Sequence, residues 1–169
     1  MNLGYACINM QLSYPQKYGG REKGVPPITT GRSMIKRTFE TKGVDYASEL
    51  TKQNARDLNQ IIQWNVINGY KFFRITSGLA PWKSEYDWDD LIDIDEIRGY
   101  LSSAGWVANK HKMRITSHPG PFNVLTSPHP HVVENCINDL TDHGSVFDMM
   151  NLSRTPYNKI NIHIGGAYG

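Results

Sequence analysis

Residues 112–123 read Lys112-Met113-Arg114-Ile115-Thr116-Ser117-His118-Pro119-Gly120-Pro121-Phe122-Asn123, and residues 159–166 read Lys159-Ile160-Asn161-Ile162-His163-Ile164-Gly165-Gly166. In the first, Met113, Ile115 and Ser117 alternate as on a strand. Pro119-Gly120 ends it, because proline donates nothing to a ladder and Pro-Gly favours a turn. In the second, isoleucine falls at every other position up to a Gly-Gly turn. Each strand therefore delivers a histidine to its carboxyl end. Parallel α/β folds gather ligands and metals at that end of the sheet, so His118 and His163 are a candidate pair of metal ligands.

The rest of the chain supplies elements to put around these two. Residues 3–8 predict a buried first strand, with Asn9 at its carboxyl end. Residues 10–27 form a long irregular connection of the kind that usually has a function, and its tyrosines and basic residues suit contact with a nucleic acid. Thr29-Thr30-Gly31-Arg32 predicts the start of a short helix through Phe39, on which Arg32 and Lys36 share a face; a solvated surface helix and a phosphate-contacting one both fit. Residues 43–69 give the clearest helix, capped by Asp45, striped by Leu50, Leu58, Ile61, Ile62 and Val66, and stopped by Gly69.

A second strand over residues 72–76 brings Arg74 to the same rim, where a guanidinium can hold a phosphate or pair with a carboxylate. The acidic connection 85–93 fits metal ligation or a plain solvated turn. Asp95 is expected to cap the next helix, whose stripe is Ile97, Leu101, Ala104 and Ala108. Ser127-Pro128 predicts the start of a last helix, running to about Met150 with His129 and His131 on its surface.

Strand and helix alternate to the end, as in a run of parallel crossovers, and four such strands are half of a TIM (β/α)8 barrel. A flavodoxin-like sheet is the alternative, but none of the first three strands leads into a glycine-rich phosphate loop. The last strand has no covering helix and an unpaired outer edge. Residues 1–169 are thus expected to be a single domain holding about the first four β/α units of an incomplete barrel. The remainder would follow in a longer chain or arrive as a missing carboxyl-terminal half.

The chain has 169 residues, of which 39% are hydrophobic and 20% charged, and a net charge of +2. No apolar run approaches the roughly 18 residues of a membrane span, and the amino terminus lacks a signal-peptide layout; the expectation is a cytoplasmic protein without a membrane partner. Cys7 and Cys136 sit in apolar patterns and are expected as buried free thiols. Charge is unevenly spread: residues 1–43 hold seven basic against two acidic side chains, and residues 83–96 hold seven acidic against one basic. A basic amino-terminal part is compatible with phosphate contacts.

Four separated motifs, in order, carry a family resemblance: Leu3-Gly4-Tyr5-Ala6-Cys7; Phe73-Arg74-Ile75-Thr76-Ser77 with Leu79 and Pro81-Trp82; His118-Pro119-Gly120; and the closing run from Ile160 to Gly169. Together they resemble the amino-terminal half of the UV damage endonuclease family. The resemblance implies a β/α barrel related to endonuclease IV, with divalent metal ions of the manganese type at its mouth. It also implies an endonuclease that nicks double-stranded DNA on the 5′ side of ultraviolet lesions. On that basis His118 and His163 match catalytic metal-binding histidines, and Tyr5 and Asn9 match positions facing the DNA. Residues 121 and 122 match a lesion-probing loop; Phe122 supplies its aromatic wedge, while Pro121 stands where the family carries a glutamine. A metal-dependent sugar isomerase of the same barrel type is the competing enzyme, and an inactive fragment or half of a split enzyme is the third reading.

Overall fold

The computed structural model describes residues 3–120 and 123–163. Four short strands, β1 (Gly4–Ala6), β2 (Phe72–Arg74), β3 (Arg114–Ser117) and β4 (Lys159–Ile160), form one sheet in which every pairing is parallel and neighbours follow chain order. Between them run a one-turn helix α1 (Met10–Ser13) and three long helices, α2 (Lys36–Ile67), α3 (Ile94–Lys110) and α4 (Pro130–Met149). Because the strand order contains no reversal, the doubly wound flavodoxin-like alternative, which reverses at a switch point, does not describe this sheet. No described helix is long and apolar enough to cross a membrane.

The pleat gives the sheet two different faces. Tyr5, Phe73, Ile115 and Ser117 turn toward the helices. There Phe73 and Ile115 are fully buried with Leu58, Ile61 and Ile62 of α2 and Ile97, Leu101, Ala104 and Ala108 of α3. Burying each large side chain of this kind stabilises by about 1.5–3 kcal/mol. The opposite face carries Gly4, Ala6, Phe72, Arg74, Arg114, Thr116 and Lys159. No long helix covers it: Gly4, Ala6 and Lys159 are exposed, and Phe72, Arg74 and Arg114 are half-buried.

Several elements differ from the sequence expectation, each for a local reason. The first strand is short and half-exposed rather than buried, with Leu3 and Ile8 open to solvent. No helix begins at Thr29; α2 starts at Lys36, so Arg32 is not helical and shares no helix face with Lys36. The long helix that was expected from residue 43 continues backwards across Gly43. That residue breaks the spiral at φ 65° and ψ −160°, a backbone only glycine adopts freely, so the start expected at residue 43 is a kink between two helical stretches. Asp93, not Asp95, precedes α3, and its carboxylate accepts from Ser48 and Lys52 of α2. The last helix uses the second of two nearby prolines, with His129 before it and Pro130 in its first turn. Cys136 is buried and Cys7 only half-buried, and neither is in a disulfide.

Helices α3 and α4 meet where Gly105 lies against the Met150 carbonyl, whose oxygen would be 1.7 Å from an added Cβ. Replacing Gly105→Ala should therefore force the α4 end away and destabilise the chain by about 1–3 kcal/mol or more. Urea unfolding checks this; an unchanged midpoint would show that the contact yields without cost.

Candidate metal centre and nucleic-acid face

Histidines 118 and 163 reach the same rim. The ladder pairs Thr116 with Lys159 and Ser117 with Ile160, and the next bond, from Asn161 N–H to the Ser117 carbonyl at 2.9 Å, continues it. His118 therefore lies level with residue 161, and His163 two residues further on the same side of the pleat. Their ring centroids are 4.8 Å apart.

The chemistry of these donors fits part of a metal site. His118 Nδ1 is 2.8 Å from the Pro119 carbonyl oxygen. A carbonyl only accepts, so Nδ1 carries a proton, and in the neutral ring Nε2 keeps its lone pair, the arrangement that second-shell bonds impose on metal-ligating histidines. Among the described residues no three His, Cys, Asp or Glu side chains converge as a metal would need. The pair thus offers two ring nitrogens and, among the described residues, no converging carboxylate.

Arg74 lies on the uncovered face in register with Thr116. Its Nε is buried without a hydrogen-bond partner among the described residues, and so is the Thr116 hydroxyl. Arg114 donates to the Tyr157 carbonyl at 2.9 Å and stacks its guanidinium 5.8 Å from the Phe72 ring. Among the described residues no carboxylate pairs with Arg74, Arg114 or Lys159. This face is cationic and contains unmet donors.

The other sequence-selected residues are placed differently. Tyr5 donates its hydroxyl to the buried Asn65 side chain of α2 and accepts from Asn9 Nδ2, and burial pushes its phenol up to about 12. Asn9 in turn caps α1 by accepting from Leu12 N–H. Both hold the start of the chain to α2. Arg32 pairs with the Asp57 carboxylate at 2.7 Å and donates to the Thr29 and Pro27 carbonyls, so its guanidinium ties down the β1–α2 connection. Lys36 is exposed, 3.9 Å from Glu40 one turn on. Pro121 and Phe122, like the Gly165-Gly166 turn, lie outside the described residues. In the acidic connection, Asp87 and Asp90 close a capping box around the turn Trp88–Asp90.

Sequence reading set His143 on or beside the last helix without a role, and it lies beneath this rim. His143 of α4 is buried, with Nδ1 2.8 Å from Ser117 Oγ and Nε2 3.9 Å from the Asp139 carboxylate. The carboxylate favours the proton on Nε2, so the Ser117 hydroxyl donates to Nδ1. The available signal was its spacing seven residues after Cys136, which puts both on the buried face of α4.

Comparison with known proteins is consistent across sequence and structure. The profile of the family described as UV-endonuclease UvdE matches residues 1–169. The UV-damage endonuclease of Schizosaccharomyces pombe is 30% identical over 98% of this chain and 26% of its own length. The UV DNA damage endonuclease of Clostridium perfringens is 30% identical over 100% of this chain and 36% of its own. The crystal structure of SacUVDE superposes with a TM-score of 0.74 at 25% identity, over 98% of this chain and 50% of that one. The chain thus spans about a quarter to a half of the length of these relatives.

Burial holds the His143 pKa below its ordinary value, against the opposing pull of Asp139 and Asp142. The unfolded chain then binds a proton more readily, so stability contributed here is present above about pH 6.5 and is lost as pH falls toward the lower folded value. The urea midpoint should drop between pH 7.5 and 5, and His143→Gln should flatten that slope. An equally steep slope in the variant would contradict this.

Proposed function

The chain belongs to the UV-endonuclease UvdE family, and from that premise we propose that residues 1–169 form one domain, about the first four β/α units of a TIM barrel. The complete enzyme is a metal-dependent repair endonuclease that nicks double-stranded DNA 5′ to ultraviolet photoproducts. The observation that carries this reading is the 4.8 Å separation of the His118 and His163 rings at the carboxyl rim of a parallel sheet. The family match favours it over the sugar isomerase.

The barrel reading is supported by the uncovered face. Parallel sheets are ordinarily covered on both sides, whereas the uncovered face of this one offers Arg74, Arg114 and Lys159, with Arg74 Nε and the Thr116 hydroxyl buried without partners among the described residues. An orphaned buried polar group costs about 1–3 kcal/mol. Further strands closing the barrel would bring partners to these groups.

In this reading His118 and His163 are the residues that hold divalent metal, of the manganese type. Such a cation supplies charge neutralisation and Lewis-acid polarisation at the scissile phosphate. His118 contributes Nε2 with its tautomer already set by Pro119, and His163 contributes its ring from the adjacent strand. Arg74, below this layer, would hold phosphate charge or a closing carboxylate, a reading supported by its unpartnered Nε among the described residues. Tyr5 and Asn9 shape the first βα turn of the DNA-facing rim through their bonds to α2, Arg32 stiffens the connection behind it, and Lys36 offers an exposed cation nearby. Phe122, flanked by Pro121, is assigned to stack in the gap left when damaged bases leave the helix; unstacking costs about a few kcal/mol, least for damaged bases.

In the protein that carries this sequence, His163→Ala and His118→Ala should each reduce nicking of irradiated supercoiled plasmid to background, with the unfolding midpoint retained. DNA affinity of the unaltered protein should fall steeply with salt. Undiminished nicking by either variant would refute the ligand assignment.

A further inference from the structure

The turn that follows β3 is tied at both ends to one face of α4. At its entry, Ser117 Oγ bonds His143 Nδ1 at 2.8 Å. At its exit, Asn123 Nδ2 donates to Asp139 Oδ2 at 2.7 Å. The same amide and the Asn123 backbone N–H both donate to the Gly120 carbonyl, at 3.1 and 3.2 Å. Asp139 and His143 stand one helical turn apart, with Asp139 Oδ2 3.9 Å from His143 Nε2. Ser117, Asn123 and His143 are all buried.

These contacts come in addition to the apolar packing of α4. Cys136 and Val146 already bury its apolar face, and Lys83 is engaged by Asp142 rather than Asp139, at 3.0 Å. Asp139 instead spends a carboxylate oxygen on a side-chain amide whose other role is to close the turn. Gly120 has the widest backbone freedom in that turn, and its carbonyl is the group that Asn123 fixes.

We propose that Asp139 and His143 are positioning residues for the metal centre: together they hold Ser117 and, through Asn123, the Gly120 carbonyl so that His118 faces His163. The inference rests on the ligand reading given above and deepens it. His118 is flanked by Ser117, which His143 holds, and by Pro119, whose carbonyl sets its tautomer; the next carbonyl is held by Asn123 and Asp139. Without this tie, ordering the turn would be charged against metal binding.

Co2+ titration of the chain, followed by visible absorption, tests this. Asp139→Ala and Asn123→Ala should each weaken Co2+ binding about tenfold, as loss of outer-shell support does. The double variant should be no worse than either single, because both remove one link. Asp139→Asn should bind like the unaltered chain, since its amide oxygen still accepts, and exchange of the residue 123 backbone N–H should quicken only in the Asp139→Ala and Asn123→Ala variants. If His118→Ala loses Co2+ while Asp139→Ala and Asn123→Ala bind it undiminished, the positioning role is overturned and the ligand reading stands. If His118→Ala binds Co2+ as tightly as the unaltered chain, both are overturned.

Discussion

The parallel register between β3 and β4 is the constraint on which the rest depends. β4 is two residues long, so its alignment rests on the bonds around it. Asn158 Oδ1 accepts from Ile115 N–H on one side, and Asn161 N–H donates to the Ser117 carbonyl on the other. Tyr157 adds a bond to the Lys112 carbonyl. A slip of one residue would turn His163 to the helix side and carry Ile162 to the rim. With the Arg114 Nε bond to the Tyr157 carbonyl, four bonds outside the strand therefore help decide whether two imidazoles meet.

The same sheet divides its chemistry by face. The helix side is a packed apolar core, with polar exceptions such as Tyr5–Asn65 and Ser117–His143 joined by specific bonds, although Asn65 Nδ2 is buried without a partner among the described residues. The other side keeps arginines, a lysine and unpartnered donors where a core would have aliphatic groups. In the proposed barrel that side is the interior and the floor of the metal layer. Its charge then has a use, since cations beneath a phosphate-binding mouth lower the cost of bringing a polyanion close.

Strand order and the meeting of His118 with His163 were legible in the sequence, because period-two alternation and a Pro-Gly or Gly-Gly stop are local signals. Helix starts were less so. Thr29 resembles a cap, but Arg32 gives its guanidinium to Asp57, twenty-five residues on, and its backbone N–H to Asn54, so the chain stays extended until Lys36. Pro128 and Pro130 carry the same signal, and only packing chooses between them. His143 and Asp139 could not be read as partners of the β3 turn, since their bonds join residues 16 and 26 positions apart. Spacing along α4 shows which face is buried, not what that face meets.

The central claim is that the two imidazoles serve one cation. Adding Mn2+ in small amounts to the chain, with the histidine ring resonances followed by NMR, tests it most directly. Paramagnetic broadening should remove the His118 and His163 signals together, at the same metal concentration, and before those of His129 and His131. Loss of only one of the pair, or broadening of His129 and His131 first, would contradict the account.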